Sequence, residues 1–159
     1  MCDNKKALKK TKITHKYKEC GLENVTLIGV EYHRCDKCGE EYFGYGNIEK
    51  LHEAIANVLL RKKDFLTGQE VRFLRKHLGY SGAVFAKIIG YDDATLSRLE
   101  TDAQPITKAF DRLVRFTVAA KIPDRNYDLH DQILKGEGMK FDRIELTSTT
   151  HGDWKLKAA

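Results

Sequence analysis

Residues 81–100 constrain the chain more than any other stretch. They read Ser81-Gly82-Ala83-Val84-Phe85-Ala86-Lys87-Ile88-Ile89-Gly90-Tyr91-Asp92-Asp93-Ala94-Thr95-Leu96-Ser97-Arg98-Leu99-Glu100, and the fixed positions suit two short helices meeting at a tight corner. Ser81 and Asp92 are N-cap residues, each with a side-chain oxygen for an unpaired amide of the first turn. Phe85 and Ile89 stand four apart and predict the buried face of the first helix, while Ala86 is small where the second helix must cross closely. Gly90 permits the positive φ that turns the chain. Leu96 and Leu99 then anchor the second helix.

This arrangement predicts a helix-turn-helix whose second helix enters a DNA major groove. Asp93, Ala94, Ser97, Arg98 and Thr101 face outward on it. Arg98 is the principal reader, because a guanidinium binds guanine O6 and N7 as a bidentate pair or clamps a phosphate. Ser97, Thr95 and the capping Ser81 are short hydrogen-bonding groups suited to phosphates or base edges. Asp93 is the exception, since a carboxylate at the groove repels phosphate unless it accepts from cytosine N4. Helix pairs of this kind also serve as dimerisation modules.

The flanks carry clear punctuation. Thr67-Gly68-Gln69-Glu70 is a capping box, and it opens a helix striped by Val71, Leu74 and Leu78 and closed by Gly79. A longer helix over 107–121 carries Phe110, Leu113, Val114 and Val118, and a short one is expected at 127–135. Before the capping box, Ile48, Leu51, Ile55, Val58 and Leu59 mark an amphipathic helix ending near Arg61. Residues 17–43 alternate as strands do. Ile144 and Leu146 face Trp154 and Leu156 across His151-Gly152-Asp153, which predicts a hairpin.

Charge is uneven along the chain. Residues 1–18 hold seven lysines against one acid, and residues 67–121 hold nine basic against six acidic residues. The basic central segment fits a polyanionic partner, whose counterions are released when Lys and Arg take their place. The lysine-rich start reads as a solvated tail, or alternatively as a DNA-contacting arm. No stretch reaches the roughly 18 uninterrupted apolar residues of a membrane span, and no export signal is visible, so a cytoplasmic location is expected.

Four cysteines, Cys2, Cys20, Cys35 and Cys38, then read as thiols or metal ligands rather than a disulfide framework. Cys35-Asp36-Lys37-Cys38-Gly39 has zinc-knuckle spacing. Cys20 and Cys2 could complete four ligands, with His15 and His33 as substitutes, and the alternative is free thiols in a sheet that folds without metal. No Ser/His/Asp set, phosphate-cradling glycine loop or spaced carboxylate pair stands out, so no enzyme is expected.

In this order, the cysteine-containing β block, linking helix and helix-turn-helix resemble the MqsA-like (YgiT-type) antitoxins and, more broadly, XRE/Cro-type regulators. The resemblance runs over residues 17–121. It is carried by Tyr17-Lys18-Glu19-Cys20-Gly21-Leu22, Cys35 and Cys38, Leu51-His52, residues 66–76 and the helix-turn-helix. It implies an α+β fold with a zinc-ribbon-like N-terminal module over 1–64 and a lambda-repressor-like domain over 65–122; the extension over 123–159, read from its own residues as a short helix and a hairpin, lies beyond the match. It further implies a homodimer that binds an operator, represses its own operon and neutralises a partner toxin, with Arg98 as the operator-reading arginine and Cys35 and Cys38 as the second zinc pair. The family's first CxxC falls at the extreme N-terminus, where this chain has only Cys2, so the zinc site is either degraded or rebuilt with Cys20. A stand-alone transcription factor and an adaptor with a vestigial helix-turn-helix are the rival readings.

Overall fold

Alternation decides the first element. In a computed structural model, which describes residues 8–121, 127–149 and 153–157, Leu8–Lys16, within the lysine-rich start that reads as a solvated tail, forms strand β1. Ile13 and His15 are half-buried, while Lys10, Lys12, Thr14 and Lys16 are exposed, the period-2 pattern of a strand with one wet face. Lysine content pointed to solvation, but Lys10, Lys12 and Lys16, at even positions, fall on a single side.

β1 pairs antiparallel with β2 (Val25–Cys35), and β2 pairs antiparallel with the short β3 (Glu41–Gly44). The ladder slips by one residue between Ile13 and Thr14, opposite Gly29 at φ +81°. This glycine bulge has a clear effect. Val30 and Leu27 differ in parity, yet both are fully buried, because the extra residue returns the strand to its core face. Two strands from the end of the chain complete the sheet. β4 (Ile144–Ser148) lies parallel to β2, with Val25 opposite Ile144 and Leu27 opposite Leu146, and β5 (Trp154–Leu156) pairs antiparallel with β4. The strands at 144–156 were expected, but not their place beside β2. Of the expected turn His151-Gly152-Asp153, His151 and Gly152 lie outside the described residues.

Six helices accompany this five-stranded sheet among the described residues, making the fold mixed α+β. They are α1 (Ile48–Leu60), α2 (Gly68–His77), α3 (Gly82–Ile89), α4 (Asp93–Glu100), α5 (Lys108–Ala119) and α6 (Tyr127–Lys135). No helix among the described residues is long and apolar enough to cross a membrane. The chain divides into two compact units. One comprises Met1–Lys18, Glu23–Ala54 and Arg143–Ala159; the other comprises Glu19–Leu22 and Ile55–Asp142.

The sheet unit buries Val25, Leu27, Val30, Ile144 and Leu146 on one face with Leu51 and Trp154. The Trp154 indole N–H donates to the Tyr45 carbonyl at 3.1 Å, so the buried ring keeps its one polar atom satisfied. In the helical unit the core is Leu59, Leu66, Val71, Leu74, Phe85, Leu96, Leu99, Phe110, Val114 and Val118. Leu113, expected in the α5 stripe, is instead 37% exposed. Asp111 and Arg115 take the buried positions beside that stripe. Arg115 pairs with Asp111 at 2.9 Å and donates to the carbonyls of Leu59, Leu60, Lys62 and Asp64. One guanidinium thus serves carbonyls at and beyond the end of α1, where few backbone donors remain; of these, Leu59 also accepts from the Lys62 amide at 3.2 Å.

Candidate nucleic-acid interface

The site is built on α3 and α4, and local chemistry starts and stops both. Ser81 caps α3 by accepting from the Val84 amide at 3.3 Å, and Gly90, at φ +74°, ends it in the left-handed conformation. Asp92 caps α4, its Oδ1 accepting from the Thr95 amide at 2.8 Å. Phe85, Ala86 and Ile89 on α3 and Leu96 and Leu99 on α4 are all buried. This leaves Ala94, Ser97 and Arg98 exposed on α4 and Thr101 exposed just beyond it.

The hydroxyls differ in what they can still do. Thr95 gives its one proton to Asp92 Oδ2 at 2.6 Å and accepts from Arg98 Nη2 at 3.0 Å. Thr101 folds back onto the Ser97 carbonyl at 2.9 Å. Both threonines therefore spend their protons inside the helix, contrary to the expectation that Thr95 donates outward. The chain Arg98 to Thr95 to Asp92 instead sets the direction of the arginine, drawing the guanidinium toward the start of α4. Four of the five guanidinium N–H groups stay available for a bidentate partner. These hydrogen bonds from Thr95, together with the nearby Arg98 charge, hold the Asp92 carboxyl below its ordinary range.

Asp93 departs from expectation in a useful way. It is exposed, yet its Oδ1 lies only 3.0 Å from where a β-carbon on Gly82 would stand. Its charge also favours the Arg75 guanidinium. The carboxylate thus turns back to the first turn of α3, where a helix N-terminus favours negative charge, and its repulsion is drawn away from the outward face.

Two further contacts fix α4 and escaped sequence reasoning. Arg75 Nε and Nη2 bind Glu100 Oε1 and Oε2 at 2.6 and 2.8 Å, and Arg75 Nη1 donates to the Tyr80 carbonyl at 2.8 Å. The signal was present in the sequence. Arg75 follows Val71 by four residues and Glu100 follows Leu96 by four, so each charge occupies a position on its helix's apolar stripe. The second contact is the approach of α2 to the end of α4. A β-carbon at Gly68 would lie 2.4 Å from the Leu99 carbonyl oxygen, and the Gly68 amide donates to Asp102 Oδ1 at 2.7 Å. Asp102 itself sits at φ +56°, a conformation that Asp tolerates better than most residues. The capping box holds the same end of α2, with Glu70 also accepting from Lys62 Nζ at 2.8 and 3.0 Å.

The cysteines form no comparable site among the described residues. Cys35 is buried at the end of β2, and Cys38 is exposed in a turn closed by the Gly39 amide donating to the Cys35 carbonyl at 2.9 Å. Cys20 is half-buried, and burial pushes its thiol above the ordinary range. His15 packs at a tilt against Phe43 on the core side of the sheet, whereas His33 neighbours Glu31 and Tyr42 on the outer side. They cannot both join one shell. No three His, Cys, Asp or Glu residues among those described are grouped to hold a metal, and Cys2 lies outside them. The described residues alone do not complete a four-ligand zinc site.

Comparison with known protein families, with characterised proteins and with solved structures yields no match for this chain.

Proposed function

We propose that the chain is a sequence-specific DNA-binding repressor in which α3 and α4 form a lambda-repressor-like helix-turn-helix and α4 is the recognition helix. The observation that carries this reading is the outward face of α4. Arg98, oriented by Thr95 and Asp92, stands beside exposed Ser97 and Ala94, while Asp93 turns back to α3. A short helix locked from behind by Arg75 and Gly68 suits base reading, because a rigid element places few donors accurately. The sequence resemblance to MqsA-like antitoxins extends the proposal: an autoregulating homodimer that also neutralises a partner toxin.

A mobility-shift assay on the DNA upstream of the chain's own gene, with and without the neighbouring gene's product, tests both levels. Retardation of the upstream fragment over an unrelated fragment supports the operator reading, and equal retardation of both overturns it. A change in retardation on adding the neighbour's product supports the antitoxin role. No change, with no complex between the two proteins, removes that role and leaves a stand-alone regulator.

A further inference from the structure

The sheet unit presents a second charged surface that the helix-turn-helix reading leaves without a role. Strand register places its residues in rows. Lys10, His33 and Tyr42 lie side by side across β1, β2 and β3, and Lys12 and Glu31 form the next row. Past the Gly29 bulge, Thr14, Ile28, Thr147 and Lys155 follow, and then Lys16, Thr26 and Glu145. Lys157 joins the last row through Glu145, its backbone amide donating to the Glu145 carbonyl at 2.8 Å and its ammonium to the carboxylate at 3.0 Å. All of these share the face opposite Val25, Leu27, Ile144 and Leu146, which are buried.

The charges on this face do not cancel. Lys10 neutralises Glu31 at 2.8 Å and Lys157 neutralises Glu145 at 3.0 Å. That leaves exposed Lys12, Lys16 and Lys155 in surplus. Lys12 and Lys16, four residues apart on β1, stand about 13.6 Å apart, roughly two phosphate steps of an extended single strand. Tyr42 lies at the other end of the Lys10 row, 65% exposed, with its ring 6.0 Å from that of His33. An exposed ring on the same sheet face as unpaired lysines offers what single strands use, with bases stacking on aromatics and phosphates meeting cations.

We propose that this outer face binds single-stranded nucleic acid, independently of α4. The test is fluorescence anisotropy with the full chain and a labelled oligothymidylate of about 12 nucleotides, within the range a small sheet surface covers. Four variants are compared: Lys12→Glu/Lys16→Glu/Lys155→Glu, the milder Lys12→Ser/Lys16→Ser, Tyr42→Ala and Arg98→Ala. Expected are salt-sensitive binding, about a tenfold or greater loss in the triple variant, about a threefold or greater loss in each of the serine and alanine surface variants, and no more than about a twofold change in Arg98→Ala. The proposal is overturned by no binding, or by binding that the serine pair and Tyr42→Ala leave unchanged. It is also overturned if, in the Arg98→Ala protein, polyglutamate or a duplex of equal length competes as well as the single strand. The first of these marks an acidic-protein surface and the second an unselective polyanion surface. Loss of operator binding in Arg98→Ala with strand binding retained separates this proposal from the recognition-helix reading.

Discussion

Arg75 and Glu100 meet as a bidentate pair, with both contacts under 3 Å and both side chains about nine-tenths buried. The pair joins α2 to the last residue of α4. Its Coulomb energy is largely offset by the cost of taking two charges out of water, so its value is geometric: it fixes where α4 ends and how it is rolled. Arg75→Ala or Glu100→Ala leaves a buried charge alone and is expected to cost about 3–5 kcal/mol. The double variant Arg75→Met/Glu100→Leu is expected to cost clearly less than the two single changes combined. Urea denaturation of the four proteins measures both. Additive losses would mean the two residues act separately.

Gly68 is expected to be as sensitive for a steric reason. A methyl group there meets backbone that cannot rotate away, so Gly68→Ala is expected to lower stability by about 1–3 kcal/mol, although alanine ordinarily favours a helix. Gln69→Ala, one residue on and exposed, is the control and stays within about 0.5 kcal/mol. Thermal melts of the two variants give the comparison.

Arg98→Ala is expected to weaken operator binding by about 1–3 kcal/mol and to reduce discrimination at one base pair, with stability changed by less than about 0.5 kcal/mol. Thr95→Val removes the hydroxyl that orients Arg98 while keeping the side chain's shape. It is expected to weaken binding by a smaller amount, and to have no further effect when Arg98 is already alanine. A four-protein titration cycle on operator DNA reads this coupling, and equal losses in both Arg98 backgrounds would refute the orienting role.

The cap of α4 is expected to respond to acid. Thr95 holds the Asp92 carboxyl below its ordinary range, so the folded state favours the charged form. Its stabilisation is complete above the unfolded value of about 3.9 and fades as pH falls through the lowered folded value. The Thr95 amide resonance is expected to shift in that acid window in the wild type. Asp92→Asn, which keeps an acceptor oxygen, is expected to show no such step and nearly unchanged stability at neutral pH.

Much of this was legible from sequence because it is local. Ser81, Asp92, Thr67 and Glu70 act on amides within three residues, and Gly90 acts on its own φ, so their roles follow from residue type and spacing. The apolar stripes of α1 and α5 are legible for the same reason, save Ile48, which is 43% exposed at the start of α1, and Leu113, whose place in the buried layer is filled by Asp111 and Arg115. What escaped was reach. Nothing within a few residues of Gly68 announces the Leu99 carbonyl, and nothing near Ile144 announces Val25. Arg98 was legible as an outward residue of α4, but Thr95 was not legible as its orienting group, because a hydroxyl's direction depends on the rotamers of three side chains at once. The lysines of β1 misled in another way. Their number suggested solvent, while the even positions of Lys10, Lys12 and Lys16 already fitted a strand.

The parallel pairing of Val25 with Ile144 joins residues more than 100 positions apart. On the ribosome, β2 emerges early and must wait for its neighbour, while α2 to α5 pack through nearer contacts and emerge complete before β4 appears. Folding through short-range contacts is fast, and the slow step is the closing of a long loop. The helical unit can therefore reach its native form while one edge of β2 is still open. In a crowded cell that interval is when a bound partner, or a chaperone, would find the sheet most receptive.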